Sequence, residues 1–304
     1  MLIDLNNPKH RKIVAFLGVS IAAYAVSSII FYLVAVHLPL SIGYASTRVG
    51  FLVAAIMLML LSKEKIDLGF SKSGRVSWIY GVCFGLVGIL LFAAYKSNTL
   101  ASIIPLVEGG ILVFLVLDLV FHRKKLSAKQ IILLVLGAGV VFLGTFFAES
   151  SGFVFNLAVL PYAVGLMVTA GIGYYALANN TKHVTESSKQ FAFVIAGLVI
   201  VAILLVFYHG SNVFSGYSNT FFLLGVIGGF LLCIAFAMEI RAVKYSMTGN
   251  EGKNVLLRNF INSTTELEII IVLLGSVAIG SFTYEALLGG GLIVVGILVL
   301  GAIR

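Results

Sequence analysis

Arg258, Asn262 and Glu266 stand at intervals of four residues, just before the apolar run from Ile269 to Leu274. That spacing puts the three on one helix face. A charge at the centre of a bilayer costs about 2.5–3.5 kcal/mol on insertion scales, so a chain that keeps Arg and Glu in such a segment has a use for them. The chemistry on offer is ion pairing with a polar solute or proton exchange through the carboxylate. Arg258 also has a plain reading as an interfacial anchor, and Glu268 lies roughly opposite Glu266, so both cannot face one cavity. Glu108 follows Pro105 by three residues and precedes Gly109 and Gly110. Proline removes a backbone donor and glycine admits a close neighbour, so a carboxylate there can bind a cation or take a proton, or else partner Arg48. Glu108 is the first candidate for proton coupling and Glu266 the second.

Arg48 sits inside an apolar run, some nine residues or about 13 Å from the nearer end at 1.5 Å per residue. A carboxylate or phosphate on a solute suits its fork geometry; a permanent structural ion pair suits it as well. Ser20, Tyr24, Ser28 and Tyr32 form a second four-residue stripe. Tyrosines offer an amphipathic wall for an organic solute, and equally serve helix packing. Tyr174 and Tyr175, after Gly171 and Gly173, offer the same, with Tyr175 taken as a solute contact. Lys96 and Glu239 fall near the ends of apolar runs, as gates or as interfacial anchors.

The elements that hold these residues must be membrane helices. Of the 304 residues 60% are hydrophobic and 11% charged, and the mean hydropathy is +1.11. A soluble domain carries about 25% charged residues. Apolar stretches at 13–36, 40–61, 77–95, 98–121, 127–147, 158–178, 190–208, 220–240, 255–279 and 284–303 give ten spans joined by short connections. Barrel strands are shorter and alternate, so an all-α membrane protein is expected. The basic start, Lys9-His10-Arg11-Lys12, resembles a signal peptide, but the apolar run that follows reaches Val36, too long for a cleaved leader. Cys83 and Cys233 lie in apolar runs and read as small packing residues.

Lys and Arg fix an orientation. With the N-terminus inside, the inner segments collect Lys9, Arg11, Lys12, Lys63, Lys65, Lys72, Arg75, Arg123, Lys124, Lys125, Lys129, Lys182, Lys189, Arg241, Lys244, Lys253, Arg258 and Arg304, while the outer connections hold only Lys96. Both termini are then cytoplasmic in a multi-pass protein of the cell membrane. The net charge of +8 belongs to those loops and to anionic headgroups rather than to nucleic acid. The halves 1–150 and 151–304 echo each other: Gly85-x-x-Gly88 by Gly225-x-x-Gly228, and the Gly137 to Gly144 interval by Gly289 to Gly296. Five spans per half make the echo an inverted repeat, with a solute site between halves; the alternative is glycines that merely pack helices.

These features together resemble the drug/metabolite transporter superfamily of the EamA type. Thr47-Arg48-x-Gly50-Phe51-Leu52 resembles its second span, the Tyr95 to Pro105 segment its third-to-fourth junction, and Leu126-Ser127-x-x-Gln130 with Gly137 to Gly144 its fifth span. The ninth-span proline of that family is absent. The resemblance implies ten helices in two inverted five-helix repeats around a central cavity, and alternating access. The expectation is a secondary transporter for a small organic metabolite, amino-acid-like or of mixed charge. The alternatives are an organophosphate or nucleotide-sugar exchanger and a cationic drug exporter. The candidate solute contacts are Tyr24, Ser28, Arg48, Glu108, Tyr175, Arg258, Asn262 and Glu266. No enzymatic motif, cofactor loop or metal-ligand spacing is present, so no catalysis, cofactor or metal is expected. The partners expected are a small-molecule solute and the lipid bilayer, with the chain acting as monomer or homodimer.

Overall fold

The computed structural model describes residues 8–96, 103, 107, 110–122, 127–148, 150, 151, 154, 155, 160–180, 185–207, 217–247, 267–280 and 283–301. Long apolar runs satisfy their backbone polar groups internally only as helices, and helices dominate the described residues. They are α1 Pro8–His37, α2 Leu40–Ser62, α3 Lys72–Tyr95, α4 Gly110–His122, α5 Ala128–Ala148, α6 Leu160–Asn180, α7 Glu186–Phe207, α8 Asn219–Met247, α9 Leu267–Ala278 and α10 Tyr284–Gly301. Between α5 and α6, β1 (Ser150–Ser151) pairs antiparallel with β2 (Val154–Phe155), an addition to the helical expectation. Among the described residues, five helices are long and apolar enough to cross a membrane: His10–His37, Leu40–Ser62, Lys72–Tyr95, Glu186–Val206 and Asn219–Ala242. Large apolar side chains such as Leu60, Leu136, Phe142, Leu223 and Leu274 are exposed around the bundle. That outer surface suits hydrocarbon, not water. Hydroxyls on the helices bond backward to their own backbone, as Ser46 does to Gly43 and Thr47 to Tyr44, both at 2.7 Å.

Packing follows small residues. α8 lies against α1 and α2; α3 lies against α6 and α7; α6 also packs on α4, α1 on α9, α2 on α7, and α5 on α10. On the α2–α8 contact a side chain at Gly50 would overlap the Val226 carbonyl, and one at Gly229 the Thr47 carbonyl. On the α5–α10 contact Gly144 meets the Gly289 backbone and Gly296 the Gly137 backbone. The glycine echoes of the sequence are therefore helix-contact surfaces, whatever their origin.

The α2–α3 connection is tightly held. Lys63 closes α2 in the left-handed region, φ 54°, with its N–H on the Met59 carbonyl. Asp67 accepts from Gly69 N (3.1 Å) and from the Ser71 hydroxyl. Ser71 in turn caps α3 by accepting from Gly74 N at 3.0 Å.

One boundary corrects the sequence reading. The seventh helix begins at Glu186, not at 190, because Thr185 caps it: Ser188 N donates to Thr185 Oγ1 at 3.2 Å, and Lys189 N to the Thr185 carbonyl at 3.2 Å. Lys189, counted above as a loop cation, is thus in a helix, and it is fully buried.

Candidate functional site

α2 carries Arg48 into the middle of the bundle. It stands eight residues after the start of its helix and is 1% exposed. Its guanidinium carbon lies 4.4 Å from the Tyr44 ring centroid and 4.1 Å from that of Phe193 on α7. Gly88 of α3 and Gly197 of α7 leave the room: a side chain at either would strike Arg48. Tyr44 is itself fixed by donating its hydroxyl to the Gly85 carbonyl at 2.7 Å. Two desolvated cation–π contacts offset about 2 kcal/mol each of the burial cost. They act on the guanidinium faces. In its plane, Nε and Nη1 have no hydrogen-bond partner among the described residues, and orphaned buried donors cost about 1–3 kcal/mol each. Among the described residues Arg48 makes no ion pair; Glu108, the partner considered from sequence, lies outside them.

Below Arg48 lies an aromatic cluster. Phe193 packs on Phe51 at 4.6 Å and on Phe236 at 5.4 Å between centroids. Phe236 reaches Tyr24 at 5.5 Å, and Phe84 stacks on Tyr80 at 4.4 Å and meets Tyr174 edge-on at 5.2 Å. Two charges enter the far side. Lys189 places Nζ 4.1 Å from the Tyr80 centroid and 5.1 Å from Phe236. Half-buried Glu239 accepts a hydrogen bond from the Tyr24 hydroxyl at 2.8 Å. Arg48 thus meets the cluster at Phe193, Glu239 at Tyr24, and Lys189 at Tyr80 and Phe236.

The cluster is closed at the α7 end. Glu64 accepts from Ser187 N at 3.1 Å, Asp67 N donates to Ser188 Oγ at 2.6 Å, and Thr185 Oγ1 donates to the Lys65 carbonyl at 3.3 Å. Arg241 of α8 pairs with Glu186 at 3.4 Å. At the other end, Lys96 Nζ donates to the Leu38 carbonyl at 2.9 Å, and His37 stacks on Phe221 at 4.0 Å.

Of the sequence candidates, the structure brings Tyr24 and Arg48 to one aromatic cluster. The tyrosine–serine stripe of α1 divides its work. Ser20 donates to the Ala235 carbonyl at 3.0 Å, Ser28 is buried, and Tyr32 meets Tyr95 edge-on at 5.6 Å. Tyr175 packs on Phe114 and Phe121 of α4, centroids 6.1 and 5.6 Å away, whereas its neighbour Tyr174 faces the cluster. Glu108, Arg258, Asn262 and Glu266 lie outside the described residues. Sequence reasoning missed Lys189 and Gln190 and treated Glu239 as a span-end residue. The signal for Lys189 was present: Lys189, Phe193 and Gly197 share the four-residue spacing that singled out the α1 stripe.

No family model and no curated protein matches the chain. A solved chain described as "Crystal structure of protein" is similar over 94% of this chain and 95% of its own, at a TM-score of 0.57 and 14% identity. The likeness is one of fold along the whole length.

Proposed function

We propose that this protein is a secondary transporter of the cell membrane, carrying a small organic metabolite of mixed charge by alternating access. The observation that carries the reading is Arg48: a mid-bundle guanidinium with unsatisfied donors, seated on rings that continue to a carboxylate at Glu239. A solute with a carboxylate, an ammonium and an apolar body matches that order of groups, as an amino acid does. Proton coupling is assigned to Glu108 first and Glu266 second. The sequence holds no ATP-binding motif, which leaves an ion gradient, exchange or simple downhill flux as the source of energy.

The same proposal takes residues 1–150 and 151–304 as inverted five-helix repeats with both termini cytoplasmic. The helix pairings support it. If each helix corresponds to the one five later, α1–α8 maps to α3–α6, α2–α8 to α3–α7, and α4–α6 to α1–α9, while α2–α7 and α5–α10 map to themselves; all of these contacts are present. An inverted repeat puts the solute site between the halves, and Arg48 of α2 meets α7 there.

A thermal-unfolding screen of the purified protein against amino acids, organic acids, sugar phosphates and amines tests the solute class. A ligand of the folded state raises the unfolding temperature. Amino-acid-like compounds are expected to do so; stabilisation by amines alone would sink the reading.

A further inference from the structure

Arg48 and Gln190, both buried at α7, keep polar atoms without hydrogen-bond partners among the described residues: Nε and Nη1 of the first, Oε1 and Nε2 of the second. Gln190 and Gly197 are seven residues apart, hence about 20° apart around α7 and about 10 Å along it. Phe193 lies between them on the same side. The Arg48 stem runs against Gly197 and its guanidinium carbon stands over Phe193, one helical turn from Gln190. Orphaned donors at one place on a helix face cost the apo protein stability and reward an occupant that satisfies them.

The geometry also selects the occupant. Tyr44 and Phe193 cover the guanidinium from centroid distances of 4.4 and 4.1 Å. An anion therefore approaches in the guanidinium plane, and a planar carboxylate fits that plane with one charge against one charge. A phosphate monoester can pair in that plane too, but it brings about −1.5 to −2 charge, more than one guanidinium offsets in a buried site. We propose that Arg48 and Gln190 form the seat for the carboxylate of an organic monocarboxylate solute, and that the seat rejects phosphate esters. The proposal rests on the transport-site reading of Arg48 and names the group it holds.

The test uses the full chain purified in detergent and three probes that differ in the headgroup: phenylacetate, phenylacetamide and phenyl phosphate. Thermal unfolding is followed against probe concentration. Phenylacetate is expected to raise the unfolding temperature saturably, with the other two at least tenfold weaker. Arg48→Lys, which keeps charge but loses the planar fork, is expected to weaken phenylacetate at least tenfold, and Gln190→Leu severalfold. If Arg48→Lys does not fold, Gln190→Leu and Phe193→Leu carry the same comparison. Stabilisation by none of the probes, equal or tighter binding of phenyl phosphate, or unchanged affinity in the variants would overturn the seat. Uptake of labelled probe into proteoliposomes separates the two levels. Phenylacetate binding with no flux of phenylalanine, which adds the ammonium, supports the seat and removes the transporter reading; Arg48-dependent flux of phenyl phosphate supports transport and removes the carboxylate seat.

Discussion

Arg48 and Glu239 show how much the same charge type depends on its immediate neighbours. The first has rings over its faces and, among the described residues, no hydrogen-bond partner on Nε or Nη1; the second has a hydroxyl on one oxygen. Tyr24→Phe removes that hydroxyl and leaves a half-buried carboxylate short of a partner. It is expected to cost about 1–2 kcal/mol, seen as a lower unfolding temperature in detergent. Glu239→Gln, which still accepts from Tyr24, should lose less. Equal losses in the two variants would mean that the Tyr24–Glu239 bond contributes nothing beyond packing.

At the scale of elements, α7 depends on how it starts. Thr185 caps its first turn, and the α2–α3 connection grips the same turn through Glu64 and Asp67. Thr185→Ala is expected to destabilise by about 1 kcal/mol, and Thr185→Ser to be close to neutral. Hydrogen exchange of residues 186–190 reads the effect locally, and unchanged exchange in Thr185→Ala would remove the cap from the account. The helix contacts make a second prediction. Gly229→Ala would drive a methyl into the Thr47 carbonyl, whereas Gly18 has nothing within 4 Å of an added side chain. The first is expected to cost about 1–3 kcal/mol through overpacking, the second to gain about 0.5–1 kcal/mol through helix propensity. Thermal unfolding of the two variants side by side checks the sign of each.

For the whole molecule, the proposed orientation places the α2–α3 connection inside and the start of α10 outside. Phe70 and Tyr284 are both highly exposed, and Cys83 and Cys233 are buried, so single cysteines at the two exposed positions report cleanly. Tyr284→Cys is expected to react with a membrane-impermeant maleimide on intact cells, and Phe70→Cys only after permeabilisation. The reverse pattern would invert the topology, and labelling of both from outside would break the pairing of helices into two opposed halves. Ser187 makes a poor reporter, since it is buried at the α7 start and held by Glu64.

Composition and hydropathy were enough to read helices built for an apolar surrounding. A chain with 11% charged residues cannot cover a water-facing surface, and uninterrupted apolar runs close their own hydrogen bonds only as helices. The place of Arg48 within its helix was legible too, because an apolar run on both sides of it reads as one continuous helix. What surrounds Arg48 was not legible. Tyr44 is four residues away, but Phe193, Gly197 and Gly88 come from α7 and α3, and periodicity within one helix carries no information about which face of another it will meet. The first turn of α7 failed for the same reason. Lysine beside Thr-Glu-Ser-Ser reads as a solvated loop until Tyr80 and Phe236, from two other helices, supply the rings that take its charge. The sequence by itself determined the class of element and the positions of its unusual residues. Only tertiary packing decided which charges were left with unsatisfied donors, because satisfaction depends on contacts between segments far apart in the chain.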